Sequence, residues 1–170
     1  LLWLMGEVDR VFTYTDRLVR KIEVEDTSVS VIRFKNGALG NIIGTTSVVP
    51  GMGCKTMIHG ERGSIILGDG PLKCWTARLV KGKHEPQPVN LAEKFHRRKT
   101  GGDAYGKLAS DHTALSSDGH TLQVRDLCRA IRRNTEPMVP GPEARRAVEL
   151  ILAIYRSWKT RREVQLPLRG

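Results

Sequence analysis

The stretch that most constrains this chain is residues 25–44, "EDTSVSVIRFKNGALGNIIG". Its first ten residues are rich in β-branched side chains, which suit a pleated, half-buried strand. Asn36-Gly37 then marks a hairpin, because a type I′ turn needs positive φ at both central positions and this dipeptide tolerates it best. "ALGNIIGTTSVV" returns as the partner strand. The pattern repeats downstream: "KTMIHG", the turn "ERG" and "SIILG" form a second hairpin, and "LKCWTARLV" adds a strand before the turn "KGK". Upstream, "VDRVFTY" is a strand candidate, and "LLWLMG" reads as the last turn of a helix ended by Gly6 in a left-handed conformation. No helix separates these strands, so the first half is an antiparallel meander and not a βαβ array.

Residues 84–119 break the pattern. They hold many turn formers and no sustained period, and are expected to be a long excursion with at most one short helix. Two helices follow. In "HTLQVRDLCRAIRR" (120–133), Val124, Leu127, Cys128 and Ile131 recur at helical spacing and define one expected buried stripe, with Arg125, Arg129, Arg132 and Arg133 opposite. After the breaker "NTEPMVPG", Pro142 at the first helical position and Glu143 in the first turn open a second helix. Its expected buried face is Ala147, Ile151, Ile154, Tyr155 and Trp158. "EVQLPL" closes as a short strand. The expected fold is α+β: a mostly antiparallel, open-faced β-sheet with helices packed on one side, in a single domain over residues 1–170.

Composition narrows the function classes. The 170 residues carry a net charge of +10. Residues 1–85 contribute +3 of this and residues 86–170 contribute +7. Such a surface attracts nucleic acid, an anionic membrane or small acids, but aromatic residues for base stacking make up only 5% of the chain and no nucleic-acid module is recognisable. Nucleic acid is therefore not the expected partner. No apolar run approaches the ~20 residues needed to cross a bilayer, and no secretory signal pattern is present. Three widely spaced cysteines without a C-x-x-C pair suggest reduced thiols and a cytoplasmic location.

Specific chemistry is sparse. "PGMGCKT" (50–56) is not a phosphate loop, since Cys54 separates Gly53 from Lys55 and a strand, not a helix, follows. No dinucleotide fingerprint lies between a strand and a helix. The five histidines show no metal-binding spacing, so no metal site is expected. No G-x-S-x-G elbow accompanies the serines near position 116. His112 and His120, with Asp111 and Asp118, flank the start of the first late helix. With Gln123 they are the candidates for a substrate-pocket wall, against the plainer reading of capping and surface residues.

Taken in order, "LLWLMGEVDRVFTY", "EVEDTSVSVIRFKNGALGNIIGT", "MIHGERGSIIL", "HTLQVRDLCRAIRRNTEPMVPGPEARRAVELILAIYRS" and "REVQLPL" resemble the C-terminal half of the Gfo/Idh/MocA oxidoreductases, relatives of glucose–fructose oxidoreductase and inositol dehydrogenase. The resemblance implies a preceding nucleotide-binding domain that holds NAD or NADP on a glycine-rich turn. It also implies a catalytic Lys in a Glu-Lys-Pro segment, and an Asp and a His just upstream of the segment matched by "LLWLMG". None of these falls on a residue of this sequence, so no catalytic or cofactor-binding residue is expected within it, and the chain alone is expected to be inactive. The implied parent is an NAD(P)-dependent oxidoreductase acting on a sugar, polyol or related compound. The implied role of this part is to wall the substrate pocket and to form a homo-oligomer through the open sheet face. The rival expectation is a non-enzymatic assembly module whose basic face meets an acidic partner.

Overall fold

In a computed structural model, residues 1–51, 53–68, 73–80, 83–89 and 118–169 are described, those at 73–80, 83–89 and 118–119 by their backbone alone. The elements are α1 (Leu2–Met5), β1 (Val8–Asp16), β2 (Thr27–Phe34), β3 (Leu39–Thr45), β4 (Lys55–Gly60), β5 (Gly63–Gly68), β6 (Lys73–Val80), β7 (Lys83–Val89), α2 (Asp118–Arg133), α3 (Gly141–Thr160) and β8 (Val164–Gln165). The chain, read from its length as one domain, divides into two compact units: residues 1–47 with 117–170, and residues 48–116. Each holds one four-stranded antiparallel sheet, ordered β3-β2-β1-β8 in the first and β4-β5-β6-β7 in the second. The α+β class with an antiparallel, open-faced sheet is as the sequence indicates.

The core of the first unit lies between one face of its sheet and α3. Val8 and Val11 from β1, Ile32 and Phe34 from β2, and Leu150 and Ala153 from α3 form it, closed by Val164 and Leu166. Strand alternation explains the sheet's share: Val11, Thr13 and Thr15 point inward with Ser30, Ile32 and Phe34, while their neighbours point out. Toward Thr15 this inner face turns polar, and the hydroxyls satisfy each other. Thr13 Oγ1 lies 2.9 Å from Ser30 Oγ, and Thr15 Oγ1 lies 3.1 Å from Ser28 Oγ.

β8 is too short to pair with all of β1; it covers only Arg10 and Val11. The next edge donor, the Thr13 amide, is buried and donates instead to Ser157 Oγ at 3.1 Å, while that hydroxyl donates to the Arg162 carbonyl at 2.7 Å. A helix side chain thus completes the strand's ladder, which is why a fully buried serine sits in α3.

Four local expectations change. The hairpin at Asn36-Gly37 forms, but not with a type I′ turn. Of the turn residues only Gly37 has positive φ, +90°, and the Gly37 amide donates to the Phe34 carbonyl. A three-residue loop with the left-handed position on Gly37 does this work, so Asn36 keeps an ordinary backbone. The excursion expected over 84–119 begins later, because β7 runs from Lys83 to Val89. Pro86 and Pro88 disguise it in the sequence; β7 is an edge strand, where a missing donor is tolerated. The rest of that segment, residues 90–117, lies outside the described residues.

The third change concerns α3. Leu150, Ala153 and Ser157 are buried, with Ile154, Tyr155 and Trp158 half-buried, whereas Ala147 and Ile151 of the expected face are exposed. The contact side is rotated by about one position because the sheet accepts small residues, Ala153 and Ser157, at its closest approach. Fourth, the expected buried stripe of α2 faces water: Val124, Leu127, Cys128 and Ile131 are exposed, and Ala130 is the buried residue. Helical periodicity reports that an apolar stripe exists, not what covers it.

Ser157→Ala should leave the buried Thr13 amide without an acceptor, lowering unfolding stability by about 1–3 kcal/mol. Urea denaturation followed by circular dichroism checks this, and an unchanged midpoint would contradict the role given to the hydroxyl.

Candidate functional site

Two features of the first unit are available for function: the outer face of its sheet, and the β1–β2 loop at one end of it. The outer face is built by the residues that alternate away from the core. Register sets Tyr14 beside Val29 and Val29 beside Ile43 in one row, and Phe12 beside Val31 and Val31 beside Asn41 in the next. Phe12 and Tyr14 meet edge to face, with ring centroids 5.1 Å apart. Val31 is 58% exposed, Ile43 63% and Tyr14 64%. A contiguous apolar patch on a regular sheet marks a contact surface, since scattered single apolar residues would need no explanation. The signal was present in β2, where Val29 and Val31 alternate with Ile32 and Phe34 so that both faces carry apolar residues.

Residues 17–25 connect β1 to β2, and one buried carboxylate organises them. Asp26 is only 2% exposed. Its oxygens accept the backbone amides of Leu18 at 3.0 Å, Val19 at 2.7 Å and Arg20 at 2.7 Å, and the Thr27 hydroxyl at 3.0 Å. The Arg20 amide, then those of Leu18 and Val19, hold this carboxyl well below the usual carboxylate range, outweighing the opposing effect of burial. Two arginines finish the loop from outside: the Arg17 guanidinium donates to the Ile22 carbonyl at 2.7 Å, and that of Arg20 donates to the Thr46 carbonyl. The Tyr155 hydroxyl donates to Glu25 at 2.6 Å, which raises its own pKa, and so ties the loop to α3. The loop therefore holds Leu18, Val19 and Val24 exposed on a fixed frame.

Clefts are small or shallow. One of about 150 Å³ lies among Leu2, Glu7, Lys35, Arg146 and Leu166, below the ≈ 300–1,000 Å³ usual for ligand sites. Its charges are already paired: Lys35 Nζ sits 2.5 Å from Glu7 and lowers its pKa, and Arg146 bonds Glu143 at 2.7 Å. An open depression of about 340 Å³ beside Arg17, Arg20 and Lys21 is formed by the loop just described.

Of the residues singled out from sequence, His112 lies outside the described residues. His120 and Gln123 are one turn apart near the start of α2, both exposed, and neither lines either cleft. Among the described residues no group of three or more His, Cys, Asp or Glu side chains could hold a metal ion, and no helix is long and apolar enough to cross a membrane. Both sheets are antiparallel, and no described strand runs through a glycine-rich turn into a helix, the geometry that presents amides to a pyrophosphate.

The first unit is an antiparallel open sheet with a helix on one face and an exposed apolar patch on the other. The chain belongs to the oxidoreductase family described as "Oxidoreductase family, C-terminal alpha/beta domain", whose profile matches residues 1–166. Among solved structures it is similar to the WlbA dehydrogenase from Bordetella pertussis in complex with NADH and UDP-GlcNAcA, at 28% identity and a TM-score of 0.70 over 99% of this chain and 45% of that one. The WlbA dehydrogenase from Chromobacterium violaceum, in complex with the same two ligands, matches at 27% identity and a TM-score of 0.69, over 100% of this chain and 43% of that one. Levoglucosan dehydrogenase in complex with NADH and L-sorbose shares the fold at 20% identity and a TM-score of 0.70, over 99% of this chain and 47% of that one. The chain thus spans less than half the length of these proteins. No curated protein matches it.

Asp26 makes stability depend on acid. Its folded pKa is depressed, so its contribution is complete above the ordinary unfolded value of about 3.9 and fades as pH falls below it. Asp26→Asn is expected to lower the melting temperature at pH 7 and to flatten its decline below about pH 4. Melting curves of the two proteins that stay parallel down to pH 2 would contradict this assignment.

Proposed function

We propose that this chain is the substrate-wall and self-association domain of an NAD(P)-dependent oxidoreductase acting on a sugar, polyol or related compound. The observation that carries the reading is the match to a C-terminal oxidoreductase domain over nearly the whole chain, together with the complexes of the 27–28% identical dehydrogenases with NADH and a nucleotide sugar. In this reading the cofactor and the proton-transfer groups come from the part of the protein that the relatives possess beyond the matched half. This chain contributes pocket wall, for which His112, His120 and Gln123 remain the candidates, and it contributes contact surface. By itself it performs no hydride transfer, because that chemistry needs a positioned nicotinamide and an acid–base group together. Its setting is cytoplasmic.

The outer face of β3-β2-β1-β8 is the self-association surface. Phe12, Tyr14, Val29, Val31 and Ile43 supply its apolar centre, and a second copy offers the same patch, as a two-fold interface requires.

Two measurements test the reading. NADH titrated calorimetrically into the purified chain should give no stoichiometric binding, and added polyol with NAD should give no turnover. Micromolar binding or turnover would overturn it. In sedimentation equilibrium the chain should be dimeric, and Val31→Glu, which places a charge at the patch centre, should shift it to monomer while its melting temperature stays within a few degrees. A strict monomer at high concentration would remove the self-association part.

A further inference from the structure

α1 is four residues long, far shorter than a helix that persists alone in water, and it has no side-chain cap at its start. Its inner side is anchored by Leu2 and Met5, which pack at the edge of the core. Apolar contacts of this kind hold an element down without fixing its direction. The direction comes from polar contacts, and they are supplied by the β2–β3 hairpin, some thirty residues further along the chain. Asn36 Nδ2 donates to the Met5 carbonyl at 3.0 Å, satisfying one of the orphan acceptors at the helix end. Asn36 Oδ1 accepts the Ala38 amide at 3.0 Å, so the side chain that reaches α1 is itself locked to the hairpin. Beside it, the Lys35 amide donates to the Glu7 carbonyl at 2.9 Å, and Lys35 Nζ pairs with the Glu7 carboxylate. Gly6, at φ +84°, makes the reversal between helix and strand, and its amide closes on the Leu2 carbonyl at 2.8 Å.

We infer that Asn36 is a positioning residue that clamps the exit of α1 into β1 to the β2–β3 hairpin and so sets the direction of the segment leading into the sheet. Resting on the reading of this chain as the C-terminal part of a longer oxidoreductase, the clamp fixes the joint between the two parts, because the matched relatives are about twice as long and the family match is to their C-terminal domain. The turn dipeptide therefore has two separable duties. Gly37 supplies the left-handed backbone of the hairpin, and Asn36 supplies a donor to a different element.

Asn36→Asp separates these duties. Asp suits the same turn position and retains an acceptor for the Ala38 amide, but it loses the donor and sets a carboxylate against the Met5 carbonyl. In ¹⁵N relaxation on the full 170-residue chain, Met5 and Gly6 should have order parameters near the rigid value of about 0.85 in the parent sequence, falling below about 0.6 in Asn36→Asp. Ile32 and Gly40, in the flanking strands, should stay rigid in both. Gly37→Ala, strained at positive φ, should loosen the strands and α1 together. The inference is overturned if Met5 and Gly6 are already mobile in the parent sequence, if Asn36→Asp leaves them rigid, or if Asn36→Asp loosens Ile32 and Gly40 equally. NADH binding by the chain would sink the proposed function without touching this result, and the converse also holds.

Discussion

One-sided burial governs this structure. A single long helix, α3, covers one face of β3-β2-β1-β8, and its closest approach is made by small residues, Ala153 and Ser157, against Val11, Thr13 and Ile32. That contact supplies the core of the first unit and completes the hydrogen bonding of β1 beyond the end of β8. Among the described residues no helix covers the opposite face of the same strands, where Tyr14, Val31 and Ile43 are exposed. Because side chains alternate across a strand, a sheet whose strands are apolar at both parities must bury both faces or leave one in water. β2 is such a strand, and its outer residues Val29 and Val31 are exposed.

The same logic separates scaffold from chemistry. Two buried polar groups are consumed internally, Asp26 by three loop amides and Ser157 by a strand amide and the Arg162 carbonyl, while the exposed Glu7 is paired with Lys35. Neither Asp26 nor Ser157 is left aimed at an opening as a proton donor or acceptor would be. The family match is to a C-terminal domain, and the similar dehydrogenases are about twice as long as this chain.

How much of this could be read in the sequence follows the range of the interactions. The strands β1 to β6, the hairpins and both late helices were legible, because alternation, Asn-Gly and the Pro142–Glu143 helix start are local signals. The turn type at Asn36 was not, since it depends on a loop length that only the register of β2 against β3 fixes. β7 was hidden by Pro86 and Pro88, which are tolerated only because that strand lies at a sheet edge. The buried side of α3 was half legible: Ile154, Tyr155 and Trp158 point toward the sheet side, but the choice of Ala153 and Ser157 over Ala147 and Ile151 is made by the partner surface. The roles of Asp26 and Asn36 depend on partners distant from them in space before folding, and nothing in "EDT" or "KNGA" announces them. Of the candidate pocket residues, His112 lies outside the described residues, and His120 and Gln123 are exposed near the start of α2.

In the proposed function, the outer face of the first sheet is where this chain meets another copy. Methyl NMR over a dilution series tests it residue by residue. The claim predicts concentration-dependent shifts at Val29, Val31, Leu39 and Ile43, with Val11 and Ile32 on the inner face unmoved. Methyls of the outer face that stay fixed across the series, or shifts confined to Leu127 and Ile131 of α2, would contradict it.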